Sequence, residues 1–315
     1  MGYIEYVVNR IFSAAFVLFA ASIVIFSILR MIPGDPARLM LGEDATPEAV
    51  AAQRSRLGLD LPVWEQYIDW LSDILLLEMG TSIMTATSIE TLLVIRYPRS
   101  LFLALAAMGI ALTIAIPLGV TAATNRNSRL DYSALFFSQL GISLPNFVLG
   151  IFLIYIFAAV LSVLPSTGYV SPFESPYQFL RHILMPAVTM GIINGAIITR
   201  FVRSEMLEQL NNDYVKTARA FGHEEKRIIR KYTLKNAMIP TVTVVGIQFA
   251  GLVGGLVVIE QVFSYPGMGL LVLDSLFNRD YPVLQIGLLV IAATFIVVNL
   301  IVDLIYGYLD PKVKY

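Results

Sequence analysis

The sequence predicts an all-α membrane protein with six transmembrane helices and both termini in the cytoplasm, and three observations carry that prediction. Of 315 residues, 57% are hydrophobic and only 14% charged, with a mean hydropathy of +0.73, whereas soluble globular chains carry roughly a quarter charged residues. Six runs free of Asp, Glu, Lys and Arg approach or exceed the roughly 20 residues that a helix needs to cross a hydrocarbon core of about 30 Å. Those runs are continuously apolar and rich in Leu, Ile and Ala, without the alternation of a transmembrane β-barrel.

Composition also narrows the chemistry. No cysteine is present, which excludes disulfides, thiolate nucleophiles, iron–sulfur clusters and thiolate zinc sites. His182 and His223 leave little scope for a histidine metal site. The balance of 22 bases against 23 acids gives no basic field for nucleic acid and no acidic excess that would favour disorder.

The elements follow in order. Residues 1–10 form a cytoplasmic N-terminus and 11–29 the first span. No small-residue cleavage site follows that run, so it is expected to stay in the mature chain. Residues 30–99 form an extracytoplasmic helical loop holding ten of the acids. In it, Thr46-Pro47-Glu48 reads as a helix start, with a hydroxyl cap, proline at the first helical position and an acid in the first turn. That helix should run about ten residues and stop near Gly58. A second, from Leu61, puts Trp64, Tyr67, Ile68 and Leu71 at helical spacing. Two readings of this loop stand: a platform for a substrate or delivery protein, or a cap on the outer ends of the spans, with Trp64 and Trp70 as interface anchors.

Residues 100–124 form the second span, 125–133 a cytoplasmic loop, and 134–162 the third span, read as one long helix. Breakers in Leu164-Pro-Ser-Thr-Gly-Tyr-Val-Ser-Pro172 make 163–182 an extracytoplasmic loop. The fourth span, 183–199, is short and polar, with Gly191, Asn194 and Gly195. Residues 200–235 form a cytoplasmic loop, 236–259 the fifth span, 260–281 an outer loop, 282–303 the sixth span and 304–315 a cytoplasmic C-terminus. With the N-terminus inside, 14 of the 22 bases and all six lysines face the cytoplasm, as the positive-inside rule prefers.

The loop 200–235 holds nine bases against five acids. A short helix is drawn from Asn212 or Asp213 as N-cap through Tyr214, Val215, Lys216, Thr217, Ala218, Arg219, Ala220 and Phe221, with Gly222 in the C-terminal capping position. Taken alone, the loop is a solvated basic segment that sets topology. Ala218, Ala220 and Gly222, with Phe221 beside them, also give the helix a small face that fits a groove on another protein. Lys216 and Arg219 are then available for acidic residues at its rim.

These residues resemble a known family. Asp213-Tyr-Val-Lys-Thr-Ala-Arg-Ala-Phe-Gly222, followed by Arg230-Lys-Tyr-Thr-Leu-Lys-Asn-Ala-Met-Ile-Pro240, is similar to the cytoplasmic "EAA" loop of ATP-binding-cassette importer permeases, above all those of dipeptide, oligopeptide and nickel importers. Leu29-Arg-Met-Ile-Pro-Gly-Asp-Pro-Ala37, Leu57-Gly-Leu-Asp60, Gly141-Ile-Ser-Leu-Pro-Asn146, Ser264-Tyr-Pro-Gly-Met-Gly-Leu270 and Arg279-Asp-Tyr-Pro282 resemble the same family, and together the segments cover nearly the whole chain in order. Lys216, Thr217 and Ala218 stand where the general pattern has Glu-Ala-Ala. Phe221 stands where the peptide branch often shows lysine.

The resemblance implies a type I importer permease in a prokaryotic plasma (inner) membrane, working with a second homologous permease, two ATPase subunits and an extracytoplasmic substrate-binding protein. ATP and magnesium would be held by the partner ATPases; the chain contains no Gly-x-x-x-x-Gly-Lys-Ser/Thr of its own. The helix from Asp213 to Phe221 would be the coupling helix. Polar residues inside spans are the candidates for the pathway or for helix-to-helix hydrogen bonds: Gln139, Ser143, Asn146, Asn194, Thr199 and Gln248. Gly191-x-x-x-Gly195 and Gly251-x-x-x-Gly255 permit close helix approach, within the chain or against the second permease. Glu260, just past the fifth run, is placed to meet substrate, a gate or the interface.

An intramembrane enzyme fares poorly. Gly141-Ile-Ser-Leu lacks the second glycine of a rhomboid-like nucleophile, and His223-Glu-Glu-Lys-Arg lacks the second histidine of a zinc-protease helix. An ion-coupled carrier would call for ionisable groups near mid-membrane and internal repeats. The substrate stays open among dipeptides, longer peptides, glutathione-like peptides, nickel chelates and oligosaccharides.

Overall fold

The computed structural model describes residues 3–31, 36–41, 45–56 and 58–309. Residues 32–35 of the Leu29–Ala37 motif, Leu57, and the C-terminal segment with Lys312 and Lys314 lie outside the described residues. The regular elements are helical: α1 Tyr3–Met31, α2 Pro36–Leu41, α3 Pro47–Arg56, α4 Val63–Leu75, α5 Ile89–Thr124, α6 Arg129–Ser143, α7 Asn146–Leu153, α8 Pro176–Asn211, α9 Asp213–Ala220, α10 Glu225–Arg227, α11 Leu234–Val262, α12 Met268–Phe277 and α13 Tyr281–Leu309. A π-helical stretch, Ile154–Val160, continues α7, and another, Ile228–Thr233, joins α10 to α11, so that Glu225–Val262 is one rod of 38 residues.

Local chemistry explains the helix starts. Ser88, Ser128 and Ser175 each accept from the backbone N–H three residues on, and Pro176 takes the first position of α8, where its missing N–H costs nothing. Thr46 caps α3 through Oγ1, which accepts from Ala49 N at 3.3 Å.

Five helices are long and apolar enough to cross a bilayer, and α6 with α7 forms a sixth unit bent by 100°. That bend corrects the expectation of one long third helix over 134–162. Leu144 and Pro145 are both extended, with ψ of 128° and 138°. Proline lacks the N–H that would continue the ladder, and it clashes with a helical residue before it.

Packing shows that the bent pair makes one net crossing. Gly191 lies against Ile110 and the Ala107 carbonyl, Gly195 against Ala111, and Gly119 against Val202 and the Thr199 carbonyl, so α5 and α8 run parallel. Parallel neighbours require the chain between them to return across the membrane. Tyr6 Oη donates to the Asp303 carbonyl at 3.1 Å and Arg10 pairs with Asp303 at 2.8 Å. The start of α1 therefore meets the end of α13, and both described ends lie on the same side.

The core is the α5–α8 seam, where Ala104, Ala107, Ala111 and Ala115 face Ala187, Gly191 and Ile198, all buried. Small residues let helix backbones approach closely where lipid offers no hydrophobic drive. The helix that carries the fourth apolar run is longer than the run itself. Helix α8 has 36 residues and carries Arg200, Arg203, Glu205 and Glu208 beyond the apolar run, because helical hydrogen bonding does not end where hydrophobicity does. The fifth likewise begins at Glu225, well before residue 236.

The two glycine pairs separate. A Cβ at Gly195 would press on the Ala111 backbone at 3.2 Å, whereas Gly251, Gly254 and Gly255 have nothing within 4 Å. Gly195→Leu is therefore expected to destabilise the chain by about 1–3 kcal/mol through overpacking. Gly251→Leu should leave it unchanged, as judged by thermal unfolding of the purified chain.

Candidate functional site

Helix α9 begins at Asn212, which is extended at φ −69°, ψ 152°, while its side-chain amide turns to Gln209. It ends in a Schellman turn: Gly222 N–H donates to the Arg219 carbonyl at 2.9 Å and His223 N–H to the Ala218 carbonyl at 3.1 Å. Gly222 sits at φ +76°, a conformation that favours glycine.

The helix is held firmly from within. Val215 is fully buried and Ala218 half-buried, anchoring α9 against α8 and the π-helical stretch of the rod. Lys216 Nζ meets Asp213 Oδ1 at 2.7 Å, which holds that carboxyl below the usual carboxylate range. Arg219 grips Glu225 through two bonds, 2.6 and 3.2 Å, which raises the guanidinium further. Tyr214 Oη donates to Gln209 Oε1 at 2.8 Å and Thr217 Oγ1 to the Asp213 carbonyl at 2.9 Å. The two bases expected to seek acids on a partner are thus engaged within the chain. What the helix offers outward is Thr217, Ala220, Gly222 and Phe221, whose ring is 80% exposed.

The six polar candidates in the spans do not form one lining. Asn194 is buried and donates to the Met190 carbonyl, and Gln248 reaches it from α11 at 3.4 Å, a helix-to-helix link. Thr199, buried, donates to the Gly195 carbonyl at 2.7 Å. Gln139 and Ser143 sit one turn apart on the exposed face of α6, 3.4 Å from each other. Asn146 reaches Met190 Sδ at 3.7 Å. Below them, Leu135 and Ile142 of α6, Arg200, Phe201 and Ser204 of α8 and Val244 of α11 border an open cleft of about 460 Å³.

Two charged nodes organise the bundle. At the inner end of α6, Asp131 is buried and takes Arg203 by Nε at 2.5 Å and Nη2 at 2.8 Å, together with Asn127 N–H at 2.9 Å. At the outer end of α11, Glu260 is fully buried and not spread on an interface. It accepts from Ser100 Oγ at 2.5 Å and Leu270 N–H at 2.8 Å, while Ser100 accepts from Met268 N–H at 2.7 Å. The carboxylate thus stands at the N-terminus of α12, where backbone N–H groups and the helix dipole favour an anion. Gly267 must be glycine here, because a Cβ would overlap both Glu260 and Ser100.

Sequence reasoning passed over the Asp131–Arg203 pair. Its available signal was an acid immediately before the apolar run at Tyr132, opposite a basic residue just past the fourth run.

Residues 115–315 match the family described as binding-protein-dependent transport system inner membrane component, and residues 3–104 match the N-terminal region of such membrane components. The dipeptide transport system permease protein DppB of Alkalihalophilus pseudofirmus is 37% identical over 99% of this chain and 100% of its own length. The probable peptide ABC transporter permease y4tP of Sinorhizobium fredii is 38% identical over 98% and 99%. The glutathione transport system permease protein GsiC of Escherichia coli is 36% identical over 99% of both chains. Among solved structures, a chain of the MetNI methionine ABC transporter, in a crystal form titled inward facing, superposes with a TM-score of 0.59 at 19% identity, over 70% of this chain and 96% of that one.

Proposed function

This chain belongs to the family of binding-protein-dependent transport system inner membrane components, and from that premise we propose that it is the peptide-translocating permease subunit of an ATP-driven importer. It works in a prokaryotic plasma membrane with a second permease, two ATPase subunits that bind ATP and magnesium, and an extracytoplasmic binding protein. Peptides are the substrate class because three relatives reported above are named as a dipeptide, a probable peptide and a glutathione transport permease.

The observation that carries the reading is α9, a short helix anchored by a buried valine and flanked by exposed ion pairs of its own, with Phe221 bare at its end. A short helix presenting an exposed aromatic at its C-terminal end fits a groove on a partner, and such anchors dominate binding energy. Closure of the ATPases moves α9, and with it α8 and the 38-residue rod, between outward and inward access. The open stripe of Gly251, Gly254 and Gly255 on the rod suits close packing of a second permease.

Phe221→Ala tests this directly. Because the ring lies outside the bundle, the chain should still insert and fold, while binding to the ATPase weakens by about 2 kcal/mol, roughly 30-fold. The measurement is ATPase affinity in detergent alongside peptide uptake in vesicles. Gly222→Val, which strains the Schellman turn, and Ala218→Arg, which adds bulk and charge to a half-buried position, should uncouple hydrolysis from uptake. Normal peptide uptake by all three variants would sink the coupling assignment, and uptake by this chain alone under an ion gradient would sink the importer reading.

A further inference from the structure

Helix α4 divides its circumference into three sectors. The first faces the protein: Gln66 takes the Arg30 guanidinium, Tyr67 Oη lies 2.8 Å from Ser22 Oγ, and the Trp70 ring packs on Phe26 with centroids 5.5 Å apart. Ile74 completes it, packed with Trp70 on the outer core around Ile89 and Met268. The second sector is polar, with Glu65, Asp69, Ser72 and Asp73. The third is apolar and, among the described residues, has no protein on it. Trp64, Ile68 and Leu75, one to three turns apart, are 62%, 55% and 76% exposed.

We propose that this third sector rests in the extracytoplasmic leaflet of the bilayer, so that α4 is an in-plane interfacial helix and not part of an aqueous platform. Its contacts with α1 fix its depth. Gln66 meets Arg30, the residue that ends the first apolar run, and Trp70 meets Phe26 one turn further in. Tyr67 Oη reaches deeper, to Ser22, about 12 Å inside Arg30 along α1, so α4 lies against the outermost two turns of that span, around the depth of about 5–10 Å at which amphipathic helices bury their apolar faces. At that level Ile23 is exposed beside the face of α1 that carries α4, and Val24 and Ile28 are exposed on the face turned away from it, so α4 packs on a helix that is otherwise bare and apolar.

Tryptophan is favoured at this boundary because its ring is apolar and its N–H can stay with the headgroups. Burying these side chains in acyl chains recovers a hydrophobic gain that water denies them. The acidic sector lies more than a quarter-turn round the helix from the apolar one and is the face of α4 left for water or a soluble protein.

Because the chain has no cysteine, single nitroxide labels can be placed cleanly. Trp64→Cys, Ile68→Cys, Glu65→Cys and Asp69→Cys are made in the full chain, labelled, and reconstituted in phosphatidylcholine vesicles. Labels at 64 and 68 are expected to collide several-fold more with oxygen, relative to an aqueous nickel chelate, than labels at 65 and 69. Equal accessibility at all four positions would overturn the proposal. A second measurement leaves the helix unlabelled: in Trp70→Phe, which keeps a ring against Phe26, Trp64 is the sole tryptophan. Its fluorescence should be quenched by brominated phosphatidylcholine and barely by acrylamide. The opposite pattern, acrylamide quenching without lipid quenching, would place Trp64 in water and overturn the proposal.

Discussion

Replacing Glu260 with leucine is expected to release the outer helix α12 from the bundle. The carboxylate is the acceptor for Leu270 N–H and Ser100 Oγ, and the Gly269 N–H is also directed at it. Leucine fills a similar volume but accepts nothing, so buried donors on two elements lose their partner at about 1–3 kcal/mol each. The loss should total about 3 kcal/mol or more. Glu260→Gln keeps one acceptor oxygen and should cost less, because its amide nitrogen points a donor at donors. Thermal unfolding of the purified chain reads the loss, and limited proteolysis within 263–280 reads its location. A global drop in stability with 263–280 still protected would show that Glu260 does not hold α12.

Asp131→Ala is expected to have an effect of similar size at the opposite end. It leaves the Arg203 guanidinium partly buried without its bidentate acceptor and frees the Asn127 N–H at the start of α6. Breaking such a pair from one side costs about 3–5 kcal/mol. The paired change Asp131→Leu with Arg203→Met should recover most of that loss, since two apolar side chains need no compensation. Arg203→Lys should fall between, because an ammonium cannot present two parallel N–H groups to the carboxylate. If the double replacement is no more stable than Asp131→Ala, the cost lies in packing and not in the uncompensated charge.

Much of this architecture is legible in the sequence because lipid imposes a simple rule: long runs without charge. The helix of Thr46 and Pro47, the capping glycine at 222 and the polar excursion between the first two spans follow from local chemistry that does not depend on the rest of the fold. What is harder to read depends on contacts between distant residues. Helix ends are one example: α8 and the rod run on into water because the charged residues there are good helix formers, so charge marks the membrane boundary and not the helix boundary. Leu144-Pro145 was a visible stop signal, but a single proline inside a span can give a kink or a break, and only its neighbours decide which.

The site divides in the same way. The position of α9 and its glycine are readable from spacing, but the internal pairing of Lys216 and Arg219 is not, since each had acids of this chain and acids of a partner to choose from. The polar residues of the spans show the limit most clearly. Asn194 and Gln248 find each other across two helices, while Gln139 and Ser143 stay outside, and no composition rule separates those outcomes. Glu260 looked interfacial because it directly follows an apolar run. It is buried because a later segment, 263–270, folds back over it.

The rod from Glu225 to Val262 ties these observations together. It has no loop in it, and the cytoplasmic end beside α9 and the outer end at Glu260 belong to one helix whose bending points are the π-helical stretch 228–233 and Pro240. Whatever coupling free energy it carries between ligands at its two ends is, by linkage, the same in both directions. A protein docking on the outside would then alter the affinity of the ATPase within, and nucleotide inside would alter the affinity of docking outside. Measuring both affinities in the same vesicles, with and without Glu260→Gln, would give that coupling as a single number.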